Sequence, residues 1–190
     1  MDAEGVTTFG VVTPTLNGAK YFDQTLRSIW SQQSDRIHVD HVVRDGGSTD
    51  GTVEIAHRYP SRVVVAKDGG MYDAINHGMA MVQGEAIGYI NADDEIAPGA
   101  FARIARAFAE HPDAGWVCGR VEFTDGAGDV LGRMTPVRLS LRAFAGIGWS
   151  CIPQQTVWVR RSFYDRVGPF DAAGYRNCGD YDWYVRVLRF

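Results

Sequence analysis

Apolar residues fall in short runs along the first half of the chain, and each run ends in a turn rich in Gly, Asp or Asn. Phe9-Gly10-Val11-Val12 runs into Thr13-Pro14-Thr15-Leu16-Asn17. Val39 to Val43 runs into Arg44-Asp45-Gly46-Gly47-Ser48-Thr49-Asp50-Gly51-Thr52. Arg62 to Ala66, rich in β-branched residues, ends at Lys67-Asp68-Gly69-Gly70, and Ala86-Ile87-Gly88-Tyr89-Ile90 ends at Asn91-Ala92-Asp93-Asp94-Glu95. Runs of this length bounded by turn residues predict strands. Between them the spacing turns helical. Phe22, Leu26, Ile29 and Trp30 share one face, Met71, Ile75, Met79 and Val82 another, and a short helix to Tyr59 lies between. A further helix is predicted after Pro98, from Phe101 to Phe108. This alternation predicts an α/β fold with a mostly parallel sheet flanked by helices.

The second half is less regular. Gly115 to Thr124 and Val130 to Met134 flank Asp125-Gly126-Ala127-Gly128-Asp129, which predicts a hairpin. A short helix is expected over Leu139 to Phe144, and a strand over Gln155 to Val159. A helix over Ser162 to Val167 is stopped by Gly168 and Pro169, and a last helix starts near Asp180. The 190 residues predict one domain with a sizeable core, without repeat, low-complexity tract or linker. Residues Tyr184 to Phe190 stop inside an amphipathic helical pattern, so a chain truncated at its C-terminus is expected.

Composition narrows the function classes. Hydrophobic residues make up 45%, as in a globular protein, and the net charge of -4 argues against a nucleic-acid binder dominated by phosphate contacts. Cys118, Cys151 and Cys178 form no Cys-x-x-Cys pair and no even framework, which fits idle thiols in a reducing compartment. Met1-Asp2-Ala3-Glu4 is acidic and opens no signal peptide, and no apolar run approaches the ~20 residues of a membrane span. A cytoplasmic location is the expectation.

Ligands of open parallel sheets bind at the carboxyl ends of the strands. Three such ends carry Asp45, Asp68 and Asp93 with Asp94, which converge on one crevice if the strands are neighbours. A core strand ending in carboxylates fixes two or three oxygen ligands on rigid backbone, which suits a hard divalent cation that keeps waters or phosphates. The plainer reading makes Asp93 or Asp94 the N-cap of the next helix. Asp45 is placed to accept a nucleobase N–H, while Asp50 or Thr49 is read as a cap. The glycine turn is neither a Walker loop nor Gly-x-Gly-x-x-Gly, which removes support for a nicotinamide enzyme. His38, His41, His57, His77 and His111 lack metal-ligand spacing and read as structural or surface residues. Met71, Met79 and Met81 read as core, and Arg133, Arg138 and Arg142 as a solvated face.

Three stretches, in this order and spacing, resemble family 2 glycosyltransferases of the GT-A fold: Thr13-Pro14-Thr15-Leu16-Asn17, Asp45-Gly46-Gly47-Ser48-Thr49-Asp50-Gly51-Thr52 and Asn91-Ala92-Asp93-Asp94. Between them Lys67-Asp68-Gly69-Gly70-Met71-Tyr72-Asp73-Ala74-Ile75-Asn76-His77-Gly78 resembles a subgroup that builds bacterial surface polysaccharides. The resemblance implies that Thr13, Pro14, Thr15 and Asp45 hold the nucleotide of a sugar donor, with Asp68 near the nucleotide or sugar. The family's Asp-x-Asp metal motif falls on Asn91-Ala92-Asp93, so a divalent cation, Mn2+ or Mg2+, is assigned to Asp93 first and Asp94 second. Asn91 supplies only a neutral oxygen.

The implied general base is Asp180, with Asp182 as its alternative. Gly179 stands where the family often has Glu, and the plain structural reading of Asp180 is a helix cap. Residues 1–95 become the nucleotide-sugar half and 96–190 the acceptor and catalytic half. Pro153-Gln154-Gln155-Thr156 resembles the acceptor side, and the processive Gln, Arg and Trp signature is absent. The implied reaction is inverting transfer of one sugar to a saccharide or lipid-linked saccharide, with the inner face of the membrane as an expected place for it. Two other readings are a non-catalytic nucleotide-sugar-binding domain and a sugar nucleotidyltransferase. The latter would need a Gly-rich loop with a basic residue after the first strand.

Overall fold

A computed structural model describes residues 6–136, 140–142, 144 and 152–190. The strands are β1 (Thr7–Thr15), β2 (Ile37–Asp45), β3 (Arg62–Val65), β4 (Ala86–Tyr89), β5 (Trp116–Cys118), β6 (Val121–Thr124), β7 (Val130–Met134) and β8 (Val157–Arg160). The helices are α1 (Ala19–Trp30), α2 (Thr52–Ala56), α3 (Met71–Met81), α4 (Ala100–Glu110), α5 (Arg161–Val167) and α6 (Gly179–Val187). Six strands form one sheet in the order β3-β2-β1-β4-β8-β5. β1 pairs in parallel with β2 and β4, and β2 with β3. The pairs β4–β8 and β5–β8 are antiparallel.

Central position explains the composition of β1. Its residues alternate between two covered faces, and both must be apolar. Phe9 and Val11 pack with Phe101, Phe108 and Trp158, and Phe9 stacks on Phe101 at 4.2 Å between ring centroids. Val12 points the other way, into a second core with Ile75 and Met79 of α3, Tyr164 of α5 and Trp183 and Tyr184 of α6. α3 lies so close to β1 that a Cβ at Gly78 would sit 2.4 Å from Val12 Cγ1.

Most predicted elements are present, with three differences. The predicted strand Gly115 to Thr124 is two strands in two sheets. The chain breaks at Gly119, whose N–H donates to Thr156 Oγ1 at 3.1 Å while its carbonyl accepts from the same hydroxyl at 3.1 Å. Only β6 pairs with β7, in the expected hairpin. The expected strand from Gln155 opens instead as a 3-10 turn over Gln154–Thr156. Met71 is 41% exposed and not core, whereas Met79 is buried. Arg133 pairs with Glu122 at 2.6 Å on an exposed face, as a solvated arginine should. The helix expected over Leu139 to Phe144 is only partly described, and Arg138, Cys151 and Met1 to Glu4 lie outside the described residues.

His41 of β2 is fully buried, with Nε2 3.0 Å from Thr13 Oγ1 and Nδ1 2.9 Å from Ser61 Oγ. Burial pushes its pKa from 6.5 down to about 3, because the charged ring would lose its hydration.

Two outcomes are expected. Gly78→Ala gains ~1 kcal/mol of helix propensity, but overpacking against a stiff, buried Val12 costs about 1–3 kcal/mol or more. The urea midpoint should fall, and Val12→Ala in the same chain should restore part of the loss. For His41, both states are neutral above about pH 6.5. Below that the unfolded chain binds a proton that the folded chain refuses until about pH 3. Stability therefore falls with pH across this window, by up to about 1.4 kcal/mol per pH unit from this group. His41→Gln should show a shallower fall in urea unfolding measured from pH 7 to 4, and equal slopes would contradict the assignment.

Candidate active site

The strand order reverses at β1: β2 and β3 lie on one side and β4 on the other. At the carboxyl edge of this switch point, where open α/β sheets bind ligands, lies a cavity of about 740 Å3. Pro14 to Gly18 form one wall, Arg44 and Gly46 another, and Asn91 to Asp93 a third. Lys67, Asp68 and Gly70 lead into α3, whose Met71 and Ala74 complete the lining.

The loops after β1 and β2 are laced by side chains. Asn17 N–H donates to Ser48 Oγ at 2.8 Å, and Thr49 N–H donates to Asn17 Oδ1 at 2.9 Å. Asn17 takes a positive φ of 53°, which Asn tolerates better than most residues. Gly18 N–H donates to Thr52 Oγ1 at 2.9 Å, and Ala19 N–H to Asp50 Oδ2 at 3.0 Å. Asp50 Oδ1 accepts from Thr52 N–H at 3.1 Å, so one carboxylate serves the first turns of both α1 and α2. The bond from the Thr52 hydroxyl is the main reason that the Asp50 carboxyl lies below its ordinary range.

The structure separates the expected donor-binding residues. Pro14, Thr15, Asp68 and Asn91 line the cavity. Thr13 and Asp45 are fully buried beneath it. Asp45 Oδ1 accepts from Gly47 N–H at 2.9 Å and Ser48 N–H at 2.8 Å, and Oδ2 accepts from the Ser48 hydroxyl at 2.5 Å. Its carboxylate thereby sets the path of the glycine turn.

Asp68 belongs to a buried ion pair that sequence reasoning did not reach. Arg44 Nη2 is 2.6 Å from Asp68 Oδ1, and the two side chains are only 8% and 6% exposed. His77 Nδ1 lies 2.8 Å from the same oxygen, and Asp73 Oδ2 accepts from Gly69 N–H at 2.7 Å. Asp68, Asp73 and His77 offer three ligand atoms within 4.8 Å of one another. A cation there would meet the Arg44 guanidinium, and the two carboxylates already hold donors.

The cluster after β4 differs in this respect. Asp93 is exposed and lines the cavity. Asp94 is half-buried, and its pKa is pushed up to about 6, first by burial and second by the neighbouring Asp93 charge, against a hydrogen bond from Asn91. Asn91 Nδ2 lies 3.3 Å from Asp94 Oδ2 and donates to Gln154 Oε1 at 3.2 Å, while Gln154 Nε2 donates to the Tyr89 carbonyl at 3.1 Å. Asn91 Oδ1 is buried without a hydrogen-bond partner among the described residues. An unsatisfied oxygen beside two like charges is a set that a hard cation relieves, and Asn91, Asp93 and Asp94 fit Mg2+ or Mn2+. Neither acid caps α4, which starts after Gly99 without a side-chain cap.

Asp180 stands in the first turn of α6, 7% exposed and outside the cavity lining. Its Oδ1 accepts from the Tyr72 hydroxyl at 2.8 Å and from Tyr181 N–H at 2.9 Å. Asp182 is engaged elsewhere, with Oδ2 2.9 Å from Arg186 Nε. Asn76 of α3 exchanges two hydrogen bonds with the backbone of Phe170, 2.8 and 2.9 Å long, in the segment between α5 and α6. The signal for Arg44, Tyr72, Asn76 and His77 was their place inside the two Asp- and Gly-rich motifs, but nothing local names their partners.

The sequence model of glycosyl transferase family 2 matches residues 10–168. A PGL/p-HBAD biosynthesis glycosyltransferase of Mycobacterium tuberculosis is 30% identical, over 95% of this chain and 69% of its own length. Among solved structures, S. aureus TarS 1-349 superposes with a TM-score of 0.72 at 20% identity, covering 95% of this chain and 55% of that one. The mannosyltransferase PcManGT from Pyrobaculum calidifontis, in complex with GDP-Man and Mn2+, gives 0.67 at 20% identity, covering 94% and 51%. With a mainly parallel sheet, a cavity at its switch point and a family match across most of its length, the chain belongs to glycosyl transferase family 2 and has the GT-A fold.

Proposed function

We propose that this domain binds a nucleoside diphosphate sugar in the switch-point cavity and transfers one sugar, with inversion, to a saccharide or lipid-linked saccharide in bacterial polysaccharide biosynthesis. One arrangement carries the reading. The wall that presents Asp93 and the helix that docks Asp180 border the same cavity, through Asn91 to Asp93 on one side and Met71 and Ala74 on the other. TarS has been solved with UDP-GlcNAc and PcManGT with GDP-Man and Mn2+, which supports a nucleotide-sugar donor and a cation.

In this reading residues 1–95 bind the donor and 96–190 supply the acceptor side and the base. Pro14 and Thr15 face the nucleotide, while Thr13 and Asp45 hold it from beneath, Asp45 by fixing the Gly47 and Ser48 N–H groups. Asp68, oriented by Arg44, lies toward the donor's ribose or sugar. Lys20 and Lys67 line the cavity and favour an anionic diphosphate there. Asn91, Asp93 and Asp94 hold the divalent cation, which when bound neutralises charge on the departing diphosphate. Asp180 accepts the proton of the attacking hydroxyl. A single displacement needs no protein nucleophile, and none is assigned. Among the described residues no helix is long and apolar enough to cross a membrane. A lipid-linked acceptor would be met at the inner face of the membrane.

Thermal unfolding with UDP, GDP, dTDP and CMP, each with and without Mn2+, tests the donor site. A diphosphate at a hundred times its Kd adds about 2.7 kcal/mol, and one of them should stabilise chiefly with the cation. Asp93→Ala should lose the cation-dependent part. Asp180→Asn should keep nucleotide stabilisation and lose transfer by about 10²- to 10⁴-fold. Full transfer in that variant would overturn the base, and binding without turnover in the parent chain would favour a binding module. Because Asp94 carries a proton below about pH 6, proton and cation compete. The Mn2+-dependent stabilisation should weaken as pH drops through 6, and Asp94→Asn should flatten that dependence.

A further inference from the structure

The hydrogen bond to Asp180 comes from 108 residues away in sequence, on the helix that also walls the donor cavity. We propose that Tyr72 is a positioning residue for Asp180: its hydroxyl fixes Oδ1 so that Oδ2 is left to take the acceptor's proton. This rests on the reading of Asp180 as the base.

Both hydrogen bonds to the carboxylate from described residues go to Oδ1, from Tyr72 and from Tyr181 N–H. A carboxylate held at one oxygen by two donors cannot swing, and its second oxygen keeps its lone pairs for chemistry. The Tyr72 ring is itself fixed. It is 3% exposed and lies 5.4 Å from the Phe170 ring. A Cβ on residue 179 would stand 2.9 Å from Tyr72 Cδ2, so the ring occupies the space beside Gly179. Burial raises the Tyr72 hydroxyl well above its ordinary range, which keeps it a donor. One turn further along α3, Asn76 grips the Phe170 backbone and holds the approach to α6. Tyr72 sits next to Met71, which lines the donor cavity, so the same helix turn registers donor and base against each other.

Tyr72→Phe keeps the ring and removes the bond. With Mn2+ and UDP-GlcNAc or UDP-glucose as probes, UDP release should show kcat lowered about 10- to 100-fold, the scale of one hydrogen bond to a charged group. The donor KM should change less than about twofold, because no donor contact is lost. In an Asp180→Asn background the same change should cost nothing further. A residue serving only to hold the fold would lower both backgrounds alike. A readout independent of turnover is the carboxyl signal of ¹³C-labelled aspartates, with Asp180 assigned by its loss in Asp180→Asn. That signal should move in Tyr72→Phe while the others stay. An unchanged signal or an unchanged kcat beside an inactive Asp180→Asn overturns the role of Tyr72 alone. An Asp180→Asn chain as active as the parent overturns the base assignment instead.

Discussion

Helix α3 can lie against the central strand only because residue 78 has no side chain, and most of the site depends on that contact. A Cβ there would meet Val12 Cγ1 at 2.4 Å. Close packing of α3 on β1 brings its first turn to the carboxyl edge of the sheet, where Met71 and Ala74 wall the cavity. The same turn carries Tyr72 to Asp180, and the next carries Asn76 to Phe170. His77 returns to Asp68 at the start of the motif. The Lys67 to Gly78 stretch is thus a joint, with cavity-lining residues at one end and hydrogen bonds to the second half of the chain along its length. Its residues are spaced for a helix that touches several elements at once.

The acidic residues of the carboxyl edge divide into two kinds. Asp45 and Asp50 are consumed by the loops, accepting from backbone and hydroxyl donors that would otherwise be left without partners. Asp68 is neutralised by Arg44. These groups give the cavity a rigid floor, since a buried carboxylate held by donors or by a paired cation is costly to move. The cluster after β4 lacks such compensation. Asp93 is exposed, Asp94 is raised to about 6 beside it, and Asn91 Oδ1 has no partner among the described residues. Local electrostatics there favour an added positive charge, whereas Asp45, Asp50 and Asp68 each already face donors or a cation.

Gly179 shows how a departure from a motif becomes intelligible in three dimensions. In the resemblance this position often carries Glu, and Gly weakens the case for the base. The structure places the Tyr72 ring where a side chain at 179 would begin. The carboxylate beside it is then supported by Tyr72 of α3 together with the Tyr181 N–H, and not by a side chain at residue 179. Gln154 is a parallel case. Its motif suggested the acceptor side, and its carboxamide also braces Asn91 against the Tyr89 carbonyl.

The sequence by itself determined the alternation of strands and helices, the parallel character of the first four strands and the placing of acids at strand ends. Those features are local: burial sets the period of apolar residues, and turn chemistry follows each run. It also carried the family, because three motifs in fixed order and spacing resemble it and the family model matches residues 10–168. Tertiary structure alone decided which acids are spent and which are available, since Asp45 and Asp93 look equivalent in sequence and differ only in the donors around them. It decided that Arg44 pairs with Asp68 across 24 residues and Tyr72 with Asp180 across 108. It also split the run from Gly115 to Thr124 between two sheets, because Thr156 captures Gly119 from the far side of the chain. Such partners are fixed by where the packed layers bring side chains together, and no local periodicity encodes that.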